Sequence, residues 1–197
     1  MKLILVRHGR TVDNEKRIMQ GQMQGKLSEA GKEQAKKVAL RLKREKIDFI
    51  YSSNLKRASD TAKEIAKYHP DAPIEFVKEL RERHWGSLQG KSKDSIDWNN
   101  IPDDVEPLSG LVKRVKLFLD KVYEKHSEST VLFVSHGRLL KALLCIIFNK
   151  PFDTLNKPLS DDSTGIGKID NASVTIFEID EDKNHKIHVL NCVKHLE

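Results

Sequence analysis

The segment Leu3-Ile4-Leu5-Val6-Arg7-His8-Gly9 has a counterpart of the same form later in the chain, Val131-Leu132-Phe133-Val134-Ser135-His136-Gly137. Each is an apolar run that predicts a buried parallel strand, and each ends in His-Gly, where glycine lets the backbone turn and approach a ligand. Ligands of open α/β sheets bind outside the carboxyl ends of the strands. We therefore expect His8 and His136 to face one site, although either histidine alone would also suit a hydrogen-bonded place in the core.

The rest of the chain alternates strand-like runs with amphipathic helical patterns. Strands are predicted at residues 2–6, 48–51, 74–77, 131–135, 172–179 and 186–190, and helices at 29–45, 54–68, 109–126 and 138–149. This alternation predicts an α/β fold of three layers, a mostly parallel central sheet with helices on both faces. The last two strands predict an antiparallel hairpin at the sheet edge, joined by the turn from Asp180 to His185. Ser28 and Ser53 are candidate N-caps of the first two helices.

Length and charge limit the classes of partner. The 197 residues contain no repeat or linker and suit a single domain over 1–197. The 35 basic and 29 acidic residues give a net charge of +6. Basic and acidic residues alternate along the predicted helices, and no basic run with interleaved aromatic residues occurs, so we expect no nucleic acid partner. The excess of positive charge suits a small anionic substrate.

The sequence favours the cytoplasm. Its two cysteines, Cys145 and Cys192, lie in no metal-binding spacing, as is usual in a reducing compartment. The apolar run from Leu3 to Val6 is too short for the core of a signal peptide, and no stretch is long enough to cross a membrane. We therefore expect no membrane association.

One segment, residues 87–109, loses the apolar periodicity and is rich in Lys, Asp, Asn and Pro. A segment of this length without regular structure often forms a lid or a substrate-binding loop. A solvated surface excursion is the alternative.

The residues around the first His-Gly are suited to binding and attacking phosphate. The guanidinium of Arg7 matches phosphate oxygens, and Thr11 and Asn14 supply further polar groups. A neutral imidazole beside a guanidinium is a competent nucleophile toward phosphorus. His8 and His136 could instead be metal ligands, but a cation beside Arg7 would be repelled and no third ligand has a suggestive spacing, so no metal is expected.

Leu5-Val6-Arg7-His8-Gly9-Arg10-Thr11, followed by Asn14, resembles the signature of the histidine phosphatase superfamily, which includes the cofactor-dependent phosphoglycerate mutases. Three further segments resemble that family in order and character: Tyr51-Ser52-Ser53-Asn54-Leu55-Lys56-Arg57-Ala58 with Thr61-Ala62, Leu80-Arg81-Glu82-Arg83-His84-Trp85-Gly86, and Ser135-His136-Gly137. The resemblance runs from residue 2 to about residue 195 and includes Asn171-Ala172-Ser173. It implies a phosphoglycerate mutase-like fold.

The resemblance also implies a role for each catalytic residue. His8 attacks phosphorus and becomes phosphohistidine, while Arg7, Arg57 and His136 hold the phosphoryl oxygens. Glu82 protonates the leaving oxygen and then serves as base for the attacking water. Two guanidinium groups and an imidazole supply the positive charge that phosphoryl transfer needs, so no cofactor is expected.

Further residues are candidates for binding the substrate: Thr11, Asn14, Gly21, Arg83, Trp85, Lys93 and Arg138. Gly21 resembles a family position where a glycine amide approaches the phosphate, although Gln24 and Lys26 stand where relatives commonly have Asp and Pro. Arg138 and Lys141, one helical turn apart, would bind a second anionic group, or both would be solvated helix residues. Without the resemblance, Glu82 would also suit a surface ion pair with its arginine neighbours.

Two reactions are open for such a site. The mutases of the superfamily carry, after the proton-donor motif, a lysine and a pair of arginines that hold the substrate; here Lys93 has a plausible place, but residues 94–107 are acidic and polar, with no Arg-Arg pair. We therefore expect a metal-independent phosphomonoester hydrolase acting on a small phosphorylated metabolite, with a phosphoglycerate mutase-type phosphotransferase as the alternative. A non-catalytic phosphate-binding protein would require a broken set of residues, and the set is complete.

Overall fold

The strands form one six-stranded sheet in a computed structural model, which describes residues 1–150, 152, 166–182 and 184–197. The strands are β1 (Lys2–Arg7), β2 (Phe49–Ser53), β3 (Ile74–Val77), β4 (Thr130–Ser135), β5 (Val174–Ile179) and β6 (His185–Cys192). The helices are α1 (Val12–Glu15), α2 (Glu29–Leu42), α3 (Lys56–Ala66), α4 (Leu108–His126) and α5 (Gly137–Ile147), with short 3₁₀ turns at Gly86–Leu88, Lys93–Ser95 and Lys194–Leu196. Among the described residues, no helix has both the length and the apolar character needed to cross a bilayer.

The order of the strands across the sheet is β3-β2-β4-β1-β5-β6. The first four run parallel, whereas β5 is antiparallel to β1 and β6 is antiparallel to β5. This confirms the mostly parallel sheet and the antiparallel hairpin at its edge. The two strands that end in His-Gly, β1 and β4, are neighbours, and their register pairs Val6 with Val134 and Arg7 with Ser135.

Helices cover both faces of the sheet, as the alternating side chains of β1 illustrate. Leu3 and Leu5 join an apolar cluster with residues of α4 and α5, whereas Ile4 and Val6 join a second cluster with residues of α2 and α3. All four side chains are at most 2% exposed. Because successive side chains of a strand point to opposite faces, this burial requires a layer of helices on each side, which confirms the three-layer α/β fold.

Local hydrogen bonds explain where the elements begin. The Ser28 hydroxyl accepts a hydrogen bond from Gly31 N at 3.2 Å and caps α2, as predicted. The prediction that Ser53 caps the next helix is wrong, because α3 begins at Lys56 and the Ser53 hydroxyl is bonded to the ring of His136. The strand predicted from residue 172 begins at Val174, since Ala172 has a φ of 55° and forms a turn.

Residues 87–109 pack against the protein. Their buried apolar side chains belong to a third cluster made of Met19, Trp85, Leu88, Ile96 and Val105. The backbone of this segment is also tied down, since Lys93 N donates to Arg17 O at 2.8 Å. The apolar side chains of the segment are therefore packed while most of its polar residues are exposed to solvent, and that the segment moves as a lid stays a prediction.

Candidate active site

The register of β1 and β4 brings the two predicted histidines together. His8 and His136 each follow directly on a paired position, and His8 N donates to Ser135 O at 3.0 Å. Their ring centroids are 5.0 Å apart. This confirms the prediction that two histidines far apart in sequence converge at the carboxyl ends of neighbouring strands.

The hydrogen bonds of His8 fix the protonation state of its ring. Nδ1 lies 2.7 Å from the carbonyl oxygen of Gly9, which can only accept, so Nδ1 carries the proton. Nε2 is then unprotonated, and it accepts a hydrogen bond from Arg57 Nε at 3.3 Å. Burial, Arg57 and Arg7 lower the pKa of His8 well below its usual value, so the ring is neutral at pH 7. The available lone pair of His8 is therefore on Nε2.

His136 is fully buried and does not line the cavity described below. Its Nε2 lies 2.8 Å from Ser53 Oγ, while its Nδ1 has no hydrogen-bond partner among the described residues. Burial, followed by Arg57 and His8, lowers the pKa of His136 well below its usual value. Both histidines of the pair are therefore neutral.

Arg57, at the first turn of α3, is held by backbone carbonyls. Its Nη2 donates to Gly21 O at 2.7 Å and its Nη1 donates to Met23 O and Gln24 O. The side chain is 1% exposed, and burial lowers its pKa to about 10. The guanidinium thus stays charged and is fixed against His8 by the loop that follows α1.

Arg7 is the last residue of β1 and is also buried. Its Nη1 donates to the carbonyl oxygen of Ile169, and its Nε has no acceptor among the described residues. Burial lowers its pKa, an effect that the charges of Glu82 and Asp170 oppose. Arg7 therefore keeps a hydrogen-bond donor unused beside His8.

Glu82 accepts hydrogen bonds from three backbone amides. Its Oε1 accepts from Arg83 N at 2.9 Å and from Leu139 N at 3.1 Å, and its Oε2 accepts from Arg138 N at 3.1 Å. Two of these amides belong to the first turn of α5, where the helix dipole favours negative charge. The carboxylate is thus anchored to the helix that follows His136, and the alternative of a surface ion pair is wrong.

A cavity of about 570 Å³ opens where these residues meet. Nine predicted residues line it: Arg7, His8, Asn14, Gly21, Arg57, Glu82, Trp85, Lys93 and Arg138. The other lining residues were not predicted: Arg17, Met19, Gln20, Asp94, Ile96, Trp98, Gly137 and Lys168. Within the described part of the chain, no three His, Cys, Asp or Glu side chains converge as metal ligands would.

Two predicted substrate-binding residues, Thr11 and Arg83, do not line the cavity. Thr11 caps α1, because its hydroxyl accepts from Asn14 N at 3.0 Å while Asn14 Oδ1 accepts from Thr11 N at 3.2 Å. Arg83 Nε donates to Glu106 O at 2.8 Å, and its guanidinium lies 4.6 Å from the ring centroid of Trp85. Both side chains therefore hold loops next to the site.

Cations and tryptophans line a further part of the cavity wall. Arg138 lies 5.7 Å from the ring of Trp85 and 5.6 Å from that of Trp98, and burial lowers its pKa to about 10. Burial and the charge of Arg7 lower the pKa of Lys93 to about 8. Both Arg138 and Lys141 are buried, so the alternative of solvated helix residues is wrong, and Lys141 does not line the cavity.

Gly21 is required by the backbone. It has a φ of 52°, and a Cβ at this position would collide with the side chain of Gln89. Its carbonyl oxygen receives the hydrogen bond from Arg57 described above. Gly21 thus contributes the position of Arg57, whereas its contact with phosphate stays a prediction.

Ser53 and Trp98 are site residues that the sequence did not reveal. Ser53 contacts His136, and Trp98 lies on the cavity wall with its ring 5.8 Å from that of Trp85. A serine at the end of a strand has no distinctive spacing. Trp98 is the residue that could have been found, since a large aromatic side chain in a polar segment is unusual.

Comparisons with known proteins agree with this geometry. The sequence profile of the histidine phosphatase superfamily (branch 1) matches residues 3–192. Phosphoserine phosphatase 1 of Hydrogenobacter thermophilus is 35% identical over 212 residues, which cover 100% of this chain and 94% of the relative. The metal-independent phosphoserine phosphatase of Arabidopsis thaliana is 33% identical over 201 residues, covering 92% of this chain and 78% of the relative. The solved structure of Bacillus stearothermophilus YhfR superposes with a TM-score of 0.87 at 30% identity, covering 100% of this chain and 99% of that one. The chain therefore belongs to the histidine phosphatase superfamily.

Proposed function

We propose that the protein is a phosphomonoesterase that acts through a phosphohistidine intermediate and requires no metal ion. The observation that carries this proposal is the state of His8. Its Nδ1 proton is held by Gly9, so the lone pair of the ring is on Nε2, which accepts from Arg57 Nε at the wall of a cavity that Arg7 and Arg57 also line. A neutral imidazole beside two guanidinium groups is suited to attack a bound phosphate. The phosphatases among its relatives support this reading.

In the first step, His8 Nε2 attacks phosphorus. A P–N bond forms as the P–O bond to the leaving group breaks, and Glu82 gives its proton to the leaving oxygen. The phosphate monoanion of the substrate can bring that proton to Glu82 on binding. Arg7 and Arg57 hold the equatorial oxygens. For His136 to hold one as well, through Nδ1, the ring nitrogen without a partner among the described residues, its buried ring must gain access to the cavity when phosphate binds.

In the second step, the Glu82 carboxylate takes a proton from water while the water oxygen attacks phosphorus. The P–N bond breaks, inorganic phosphate leaves, and His8 returns to its neutral form. Water is the proposed acceptor because residues 87–109, which form part of the cavity wall, contain no arginine pair to hold a second substrate molecule.

The proposed substrate is a small phosphorylated metabolite, with no nucleic acid or membrane partner. Lys93 lines the cavity, where burial and the charge of Arg7 lower its pKa to about 8 and the charge of Glu82 opposes this only in part. A second anionic group on the substrate would compensate the charge of Lys93 further. We place this activity in the cytoplasm, which the two cysteines and their spacing favour.

The test is a rapid-quench experiment with p-nitrophenyl phosphate. We expect a burst of one equivalent of p-nitrophenol together with an acid-labile, base-stable phosphoenzyme in the wild type, and neither in His8→Ala. Turnover of O-phospho-L-serine and mutase activity on 3-phosphoglycerate are measured alongside. A wild type without phosphoenzyme, or His8→Ala with a near-normal rate, would contradict the mechanism; faster mutase than hydrolase turnover would favour a phosphotransferase.

A further inference from the structure

Glu82 lies in a stretch of chain that no helix or strand fixes. It follows β3 and precedes the 3₁₀ turn at Gly86–Leu88. A general acid must lie within hydrogen-bond reach of the leaving oxygen, and displacements of about 1 Å at a reacting group can cost roughly 10²-fold in rate. The backbone around Glu82 therefore needs an anchor outside the cavity.

The guanidinium of Arg114, on α4, supplies that anchor. Its Nη1 donates to Glu79 O at 2.7 Å and to Arg81 O at 2.8 Å, and its Nη2 donates to Glu82 O at 3.1 Å. Its remaining two donors go to Glu106, from Nε at 2.7 Å and from Nη2 at 3.0 Å. Every one of the five N–H groups of Arg114 is thus used, three of them on the backbone that carries Glu82.

Glu106 holds the two residues that follow Glu82 in the chain. Its Oε2 accepts from His84 N at 3.0 Å, and its backbone oxygen accepts from Arg83 Nε at 2.8 Å. Burial opposes the charge of Glu106, but the hydrogen bonds and the charge of Arg114 outweigh burial and keep its pKa below the usual value. The side chains of Arg114 and Glu106 are 21% and 16% exposed, so the ion pair is largely shielded from solvent.

We propose that Arg114 and Glu106 are positioning residues, which hold the backbone of residues 79–84 so that the Glu82 carboxylate meets the leaving oxygen. Neither side chain lines the cavity. Their effect on proton transfer to the leaving oxygen therefore passes through the position of Glu82. This inference rests on the proposed function, in which Glu82 is the acid and base.

A comparison of two leaving groups distinguishes misplacement of the general acid from a general loss of active-site structure. Phenyl phosphate and p-nitrophenyl phosphate have nearly the same shape, but phenolate needs protonation far more than p-nitrophenolate does. In Arg114→Gln, we expect the rate of phosphoenzyme formation to fall about 10- to 100-fold with phenyl phosphate and less than about 3-fold with p-nitrophenyl phosphate. The matched control is Lys113→Gln, which removes an exposed positive charge from the preceding position and should change neither rate.

A double-mutant cycle provides the second measurement. In a Glu82→Gln background, Arg114→Gln should lower the phenyl phosphate rate by less than about 3-fold, since the group it positions is already absent. Equal losses with both esters, or losses that multiply with Glu82→Gln, would overturn the proposal. If Arg114→Gln lacks the circular dichroism of the wild type, Glu106→Gln is subjected to the same comparison.

The failure of the positioning role is distinguishable from that of the proposed function. A wild type that forms no phosphoenzyme would overturn the proposed function itself. A wild type that forms it, with variants that show no dependence on the leaving group, would overturn only the roles of Arg114 and Glu106.

Discussion

Two helical glycines allow a controlled test of how the segment after His8 is held. Gly31 and Gly110 are each the third residue of their helix, α2 and α4. A Cβ at Gly31 would lie 2.7 Å from the carbonyl carbon of Arg10 and 2.9 Å from its nitrogen, and closer still to its oxygen. A Cβ at Gly110 would meet only Glu106 Cγ, at an ordinary 3.9 Å.

The magnitudes follow from these contacts. Helix propensity alone favours alanine over glycine by about 1 kcal/mol at either position. At Gly31, this gain is opposed by overpacking against backbone, which costs up to about 3 kcal/mol. The hydrogen bond from Ser28 N to Arg10 O, 3.0 Å long, would also be lost, at about 1 kcal/mol. We therefore expect Gly31→Ala to lower the free energy of unfolding by about 3 kcal/mol and Gly110→Ala to raise it by roughly 0.5–1 kcal/mol.

Urea unfolding followed by circular dichroism measures both effects, with the midpoint compared at equal slope. Because Arg10 is two residues from His8, we also expect Gly31→Ala to lower kcat by roughly 10²-fold, if the backbone gives way by about 1 Å. A Gly31→Ala variant as stable as Gly110→Ala would refute the close approach of α2 to the segment that follows β1.

The remaining predictions concern charge and protonation in the site. Turnover of p-nitrophenyl phosphate should survive dialysis against EDTA, because Arg7 and Arg57 supply the positive charge; a loss restored by Zn²⁺ or Mg²⁺ would contradict this. Since burial, Arg57 and Arg7 lower the pKa of His8, phosphoenzyme formation should keep its nucleophile as the pH falls through about 6.5. A rate that falls as the pH drops through that value would count against a buried neutral ring. Below about pH 6.5 the unfolded chain takes up protons on its histidines, whereas His8 and His136 stay neutral in the folded protein. The free energy of unfolding should therefore decrease below that pH. Urea midpoints measured against pH should show a less steep decrease in His136→Asn. Arg57→Lys should destabilise the protein by about 1–3 kcal/mol by leaving buried carbonyls such as that of Gly21 without a donor, and an unchanged urea midpoint would contradict it.

The sequence was sufficient for the features that repeat or follow a period. The shared His-Gly ending of two apolar strands predicted that both histidines face one site. The alternation of apolar strands with amphipathic helices predicted the layers. Arg57 and Glu82 came from the resemblance to a family rather than from any local pattern. Both residues are far from His8 in the sequence, and only the fold brings them close to it.

Contacts between distant segments were beyond the sequence. Thr11 was predicted to bind phosphate. A hydroxyl followed three residues later by an amide also forms a helix cap, and Thr11 and Asn14 form that cap here. Ser53 was predicted to cap a helix, but its hydroxyl forms a hydrogen bond with the ring of His136. Arg114 carried no signal, because three of its acceptors are main-chain carbonyls, which are the same at every residue, and the fourth partner, Glu106, lies outside the helix in a polar segment.

The pairing of Arg7 with Ser135 restricts how this chain can change in length. Removing one residue inside β1 or β4 would shift one histidine by a position and send its ring to the opposite face of the sheet, even with every remaining residue intact. Insertions between the two strands do not have this effect, since they leave the register of β1 and β4 unchanged. Evolution and engineering can therefore lengthen residues 87–109 to suit new substrates, whereas the segments 2–8 and 130–136 must keep their length.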